Sequence, residues 1–157
     1  MATTFPSIVP SATSHAVQDY RSLGWNVTET STGIDLTTDN RIAAVELTGA
    51  QAASVRRYLR ANNLSGPVIE LRGPHRREIH LVVGAAKAAL AIEALRAAGA
   101  TVHTDGATIA LPHTNAAITW GVSPAEARWT PPLVALSAAV RATAATTIRP
   151  QLRNVAC

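Results

Sequence analysis

The chain has 157 residues, 47% hydrophobic and 15% charged, a length and balance that suit one globular domain and exclude extended disorder. Its formal charge is +4 and its pI about 10.2, and every positive side chain except Lys87 is arginine. A planar guanidinium fits phosphate oxygens bidentately, so this bias fits an anionic partner, although a coding background rich in Arg and Ala would leave the same trace.

Residues 1–13 read as a flexible arm of Thr, Ser and Pro without basic residues, which is no signal peptide. Ser14 can cap a first helix to about Leu23, with Val17 and Tyr20 inward, and Gly24 ends it. Trp25–Glu29 alternates as a strand, Gly33 turns the chain into Ile34–Thr37, and Asp39-Asn40 makes a turn before a central strand, Arg41–Leu47. Thr48 caps a second helix to about Asn62, with Ala52, Val55 and Leu59 buried and Arg56, Arg57 and Arg60 on the solvent side. Two strands near Val68–Arg72 and Arg77–Val83 flank a turn rich in Gly, Pro and Arg. A third helix is expected over Ala85–Ala98, closed by Gly99. Its Ala-rich run contains Lys87, Glu93 and Arg96, which excludes a membrane span and supports a cytoplasmic protein. Short strands follow at Ala100–His103, Thr108–Leu111 and Ile118–Trp120. Pro131-Pro132 then opens a last helix carrying Leu133, Leu136 and Val140 inward. After Thr143 the apolar pattern decays, so residues 146–157 read as a flexible tail behind a domain spanning 14–145. The only cysteine, Cys157, allows neither an internal disulfide nor a cysteine zinc site. The order of elements is α+β: a mostly antiparallel or mixed sheet flanked by about four helices.

The densest positive cluster is the turn holding Arg72, His75, Arg76 and Arg77, with His80 on the strand behind it. Such a hairpin suits a polyanion, a nucleotide or a nucleic-acid backbone; a solvated basic turn is the competing reading. His80 shares its strand face with Glu78 and Val82, so it either touches phosphate or hydrogen-bonds Glu78 in a half-buried sheet. Trp25, Trp120 and Trp129 sit beside apolar strand residues, which favours core packing over base stacking. The spacing of His80, His103 and His113 matches no metal-ligand pattern, so no metal site is expected.

Three stretches together resemble the primase-polymerase domains of the archaeo-eukaryotic primase superfamily. These are His15–Val27 with its Gly24-Trp25 entry into a strand, the His80 strand, and Asp105–Pro112 followed by Ile118–Trp120. Trp129–Val140 is similar to that family's terminal Pro-Leu helix, and the likeness covers about residues 15–142. The resemblance implies a primase-polymerase fold whose metals would be held by an Asp-x-Asp pair and a later Asp. This chain has Ala44-Val45-Glu46 at the first position and Thr101 at the second, so Glu46 and His80 would be remnants of a lost catalytic centre. The expected function is a binding or regulatory module linked to replication or mobile elements, with no cofactor. One alternative is an active primase or nucleotidyltransferase that uses Glu46 with Asp105 or Asp35, and Mg2+ or Mn2+ with a nucleoside triphosphate. Another is a protein–protein adaptor, dimeric through its Ala-rich helices, without nucleic-acid binding. The resemblance further implies that Glu46 and His80 lie on neighbouring strands and face the same side.

Overall fold

The computed structural model describes residues 11–113 and 117–152, with side chains described to residue 146. The first helix, α1, spans Ala12–Ser22 and is capped by Ser11, whose hydroxyl accepts the Ser14 N–H. The cap thus falls three residues before the expected Ser14, and residues 12 and 13 are helical; residues 1–10 lie outside the described residues.

Eight strands follow the expected segments: β1 Val27–Thr30, β2 Gly33–Thr37, β3 Ala43–Thr48, β4 Val68–Leu71, β5 Arg77–Val82, β6 Thr101–His103, β7 Thr108–Leu111 and β8 Ile118–Val122. They form two sheets rather than one, a three-stranded sheet ordered β1-β2-β7 and a five-stranded sheet ordered β6-β3-β5-β4-β8. Every ladder is antiparallel, so the α+β class holds. The buried Thr38 ties β2 to the β6–β7 turn: its N–H donates to Ala107 O, its carbonyl accepts the Gly106 N–H and its hydroxyl accepts the Ala107 N–H.

The large sheet is covered on both faces. Ala43, Val45, Leu47 and Val82 point toward three helices, α2 (Gly49–Ala61), α3 (Ala89–Ala97) and α5 (Leu133–Leu152), meeting Val55, Leu59, Leu95, Leu133 and Leu136. The alternate positions Ala44, Ile79 and Leu81 point the other way, onto Ile34, Leu36, Ile109 and Leu111 of the small sheet and Val17 of α1. The period of two in β3 and β5 feeds two separate cores, which is why both strands read as almost unbroken apolar runs. Trp25 stacks on Tyr20 with centroids 5.6 Å apart, and Trp120 tilts against both; Trp120 Nε1–H donates to the Tyr20 hydroxyl. Core packing therefore accounts for these two tryptophans, whereas Trp129 is partly exposed and donates its indole N–H to Ser65 O.

The helices differ from expectation in three places. A 3-10 turn covers Ala85–Lys87 after Gly84 in the left-handed region, and Ala88 at φ −124° breaks the chain before α3, so no continuous helix runs from Ala85. A short helix, α4 (Pro124–Ala127), was not anticipated; Ser123 caps it by accepting the Glu126 N–H. The backbone of α5 stays helical to Leu152, past the loss of apolar spacing after Thr143, so the expected tail is helical over 146–152. Residues 153–157 of the expected tail lie outside the described residues.

Candidate anion-binding cleft at the arginine hairpin

The β4–β5 register sets Leu71 opposite Arg77, Glu70 opposite Glu78, Ile69 opposite Ile79 and Val68 opposite His80. Two glutamates directly opposite on one face repel each other unless a cation bridges them. Arg56 supplies that cation from α2. Its Nη1 lies 2.6 Å from Glu70 Oε1 and 2.9 Å from Glu78 Oε1. Arg56 is therefore not the solvent-facing residue expected; its side chain is 13% exposed and crosses onto the sheet, while Arg57 and Arg60 do face solvent. The space it occupies is made by Gly121 on β8, where a Cβ would lie 2.7 Å from both Arg56 Nη1 and Glu70 Oε1.

Glu78 is the centre of the cluster. Its residue is 0% exposed, and Oε1 also accepts from Arg76, with Nε at 2.9 Å and Nη2 at 2.6 Å. Burial alone would raise this carboxyl's pKa, but the nearby imidazole of His80, the guanidinium hydrogen bonds from Arg76 and the charge of Arg56 outweigh burial and hold it at about 2. Burial also works against the Arg56 charge, and the two carboxylates more than compensate, raising its pKa above the ordinary arginine value. His80 Nε2 faces Glu78 Oε2 at 3.4 Å, and neither atom meets a close hydrogen-bond partner among the described residues. His80 is 3% exposed, buried behind Glu78 rather than lining a surface. It stands beside Glu78, as one sequence reading had it, but without a hydrogen bond between these two atoms and fully rather than half buried.

Glu46 and His80 do lie on neighbouring strands, but they face opposite sides. The β3–β5 register pairs Val45 with His80 and Glu46 with Ile79, so His80 points toward the helices and Glu46 toward the small-sheet side. The expectation that the two form one remnant centre is therefore corrected. Glu46 is instead held by Arg77, with Nε and Nη2 each 2.8 Å from Oε1, and His103 Nε2 stands 3.6 Å from its Oε2. Ala44 and Thr101, at the positions of the resembled aspartates, pair with His103 and Glu46 respectively. Asp35 sits on β2 of the other sheet, and Asp105 occupies the β6–β7 turn at φ +57° beside Thr104. Among the described residues no group of three or more His, Cys, Asp or Glu side chains is arranged to hold a metal ion.

At the turn end of the hairpin lies a cleft of about 240 Å³ lined by Arg72, Arg76 and Arg77 with Glu70, Glu78 and Thr119. Three of the proposed phosphate-contacting residues therefore share one cavity. His75 lies at the exposed tip outside this lining, and the buried His80, opposite Val68, is not part of it either. Arg72 meets no carboxylate among the described residues; its backbone N–H donates to Ala117 O. Reading the sequence missed the organising roles of Arg56, Glu70 and Glu78. The parity of Glu70 and Glu78 across a tight hairpin was the available signal, since it forces two carboxylates onto one face. No family model matches the chain, and neither the curated proteins nor the solved structures include a match. No helix among the described residues is long and apolar enough to cross a membrane.

Proposed function

We propose that the chain is a non-catalytic cytoplasmic module that binds a phosphate-bearing partner, a nucleotide or a single nucleic-acid strand, at the cleft of its arginine hairpin. The observation that carries this reading is the convergence of Arg72, Arg76 and Arg77 on one open cavity of about 240 Å³. Arg76 and Arg77 are each braced from behind by a carboxylate through Nε and Nη2. Bracing lowers the entropy lost when their remaining N–H groups meet a ligand, because the side chains are already ordered. Around the hairpin, Arg56, Arg72, Arg76 and Arg77 oppose Glu46, Glu70 and Glu78, so four cations meet three anions and Arg72 carries the surplus charge. So small a surplus supports weak, salt-sensitive attraction to a backbone rather than tight base readout. The setting implied by the primase-polymerase resemblance, replication or a mobile element, fits such a module.

The catalytic alternative finds less support, because Glu46 is neutralised by Arg77 and faces away from His80. Calorimetric titration with ATP, with and without Mn2+, beside a gel shift with single-stranded DNA, separates the readings. The expected result is metal-independent DNA binding without primer extension. Template-dependent incorporation that disappears in Glu46→Ala would overturn the non-catalytic reading.

A further inference from the structure

Two buried polar atoms in the Glu78 cluster stand opposite each other without a hydrogen bond. Glu78 Oε2 and His80 Nε2 are 3.4 Å apart, in residues 0% and 3% exposed, and neither has another partner among the described residues. Folded chains seldom leave buried polar atoms in this state. With the ring proton on Nδ1, two lone pairs face each other; a proton on Nε2 gives both atoms a partner, and the imidazolium always carries one there. A charge-assisted N–H···O bond is about 2.7–2.9 Å long, so the pair has roughly half an ångström in which to tighten.

Glu78 joins this pair to the cleft. Its other oxygen, Oε1, accepts from Arg76 Nε and Nη2, and Arg76 lines the cavity. Beside a neutral ring the carboxylate's charge bears on Arg56 and Arg76 alone. Beside a charged ring it is divided among three cations, and Arg76 presents more of its own charge to the cavity. Around the hairpin four arginines oppose three glutamates, and a charged His80 doubles the surplus from one to two. Glu78 itself stays ionised throughout the pH range in which histidine changes charge. The other charged groups facing the pair are Arg56 from α2 and Glu70 from β4. Opposite His80, β3 presents Val45 and β4 presents Val68, while Arg141 of α5 lies exposed in the groove against α3.

We propose that His80 makes the cleft proton-linked: binding a phosphate backbone draws a proton onto the His80 ring, and affinity rises as pH falls from about 8 toward about 5.5. This deepens the reading of the cleft as a phosphate site and rests on it. Coupling of this kind is reciprocal, so a bound backbone also favours the charged ring.

The test is the affinity of the full chain for a labelled oligothymidylate, by fluorescence anisotropy at constant salt, at about pH 8 and about pH 5.5. The phosphodiester charge of this probe is fixed over that range. Wild type should bind about fivefold or more tightly at the lower pH, a coupling of ordinary size. His80→Gln should bind nearly alike at both. His75, exposed at the tip, and His103, beside Glu46, are the other histidines near the cleft. A response that disappears in His75→Ala or His103→Gln but survives in His80→Gln overturns the proposal. Should His80→Gln fail to fold, the wild type carries the test. NMR of its histidine rings should show the His80 titration midpoint rising when oligothymidylate is bound, and an unmoved midpoint overturns the proposal. Binding that is measurable but equal at both pH values overturns the coupling and leaves the cleft standing as the phosphate site. No binding at either pH removes both.

Discussion

Replacing Glu78 by Gln removes one buried charge with almost no change in shape, and the structure sets the size of the effect. The carboxyl titrates at about 2 in the folded chain against 4.5 for an unperturbed glutamate. That difference corresponds to roughly 3 kcal/mol of stability at neutral pH. Because the folded value lies below the unfolded one, the unfolded chain holds the extra proton between these two pH values. Stability from this group is therefore full above about pH 4.5 and is lost as pH falls toward 2. The groups facing it are Arg56 from α2, Arg76 and His80 from its own hairpin, and Glu70 across the ladder. Glu78→Gln also leaves Arg76 without its carboxylate, while Arg56 keeps Glu70, so the cost should stay near the lower end of the ~3–5 kcal/mol typical of a broken buried pair. Urea unfolding of both proteins from about pH 7 down to about pH 2 measures this. The difference should be about 3 kcal/mol at neutral pH and should shrink steadily below pH 4.5. A variant within about 0.5 kcal/mol of wild type at pH 7, or a difference that does not change with pH, would refute the reasoning.

Other substitutions probe the packing that builds the site. Gly66→Ala would set a Cβ 2.1 Å from Pro131 Cδ, a rigid ring whose carbonyl is bonded to the Val83 N–H, so thermal unfolding should show a loss of about 2–3 kcal/mol. Gly121→Ala meets the ends of the Arg56 and Glu70 side chains instead, which can retreat at the expense of their ion pair, so its loss should be smaller, about 1–2 kcal/mol in the same assay. Tyr20→Phe removes a hydroxyl that donates to Pro112 O and accepts from Trp120 Nε1–H; urea unfolding should show a cost of about 1–2 kcal/mol. In contrast, Arg57→Ala on the exposed side of α2 should change stability by less than about 0.5 kcal/mol.

The strands and most helix ends were legible because their punctuation is local. Gly33, the Asp39-Asn40 pair, the Gly73-Pro74 turn and Gly99 each mark a place where the chain must turn or stop, and the elements begin and end beside them. Pairing was not legible in the same way. β2 joins β7 across some seventy residues through Thr38, and no periodicity in either segment names its partner. The face relation between Glu46 and His80 depended on register, and a slip of one residue inverts it. A family likeness carries the order of elements but not that single step. Arg56 was misread for another reason. Its helical position is intermediate between the buried and solvent faces, and only the juxtaposition of Glu70 and Glu78 on the sheet draws the long side chain inward.

The central claim is that Arg72, Arg76 and Arg77 form one anion-binding cleft, and Arg72 isolates it best because its side chain is in no ion pair of the Glu78 cluster. Fluorescence anisotropy of a labelled oligothymidylate should be followed from about 50 to 200 mM salt for wild type and Arg72→Ala, with circular dichroism confirming that the variant folds. The wild type should bind with an affinity that falls steeply across this range. Arg72→Ala should bind several-fold more weakly at the low end, with a slope of log affinity against log salt shallower by roughly one. Equal affinity and equal slope for the two proteins, or no binding by the wild type at the lowest salt, would contradict the account.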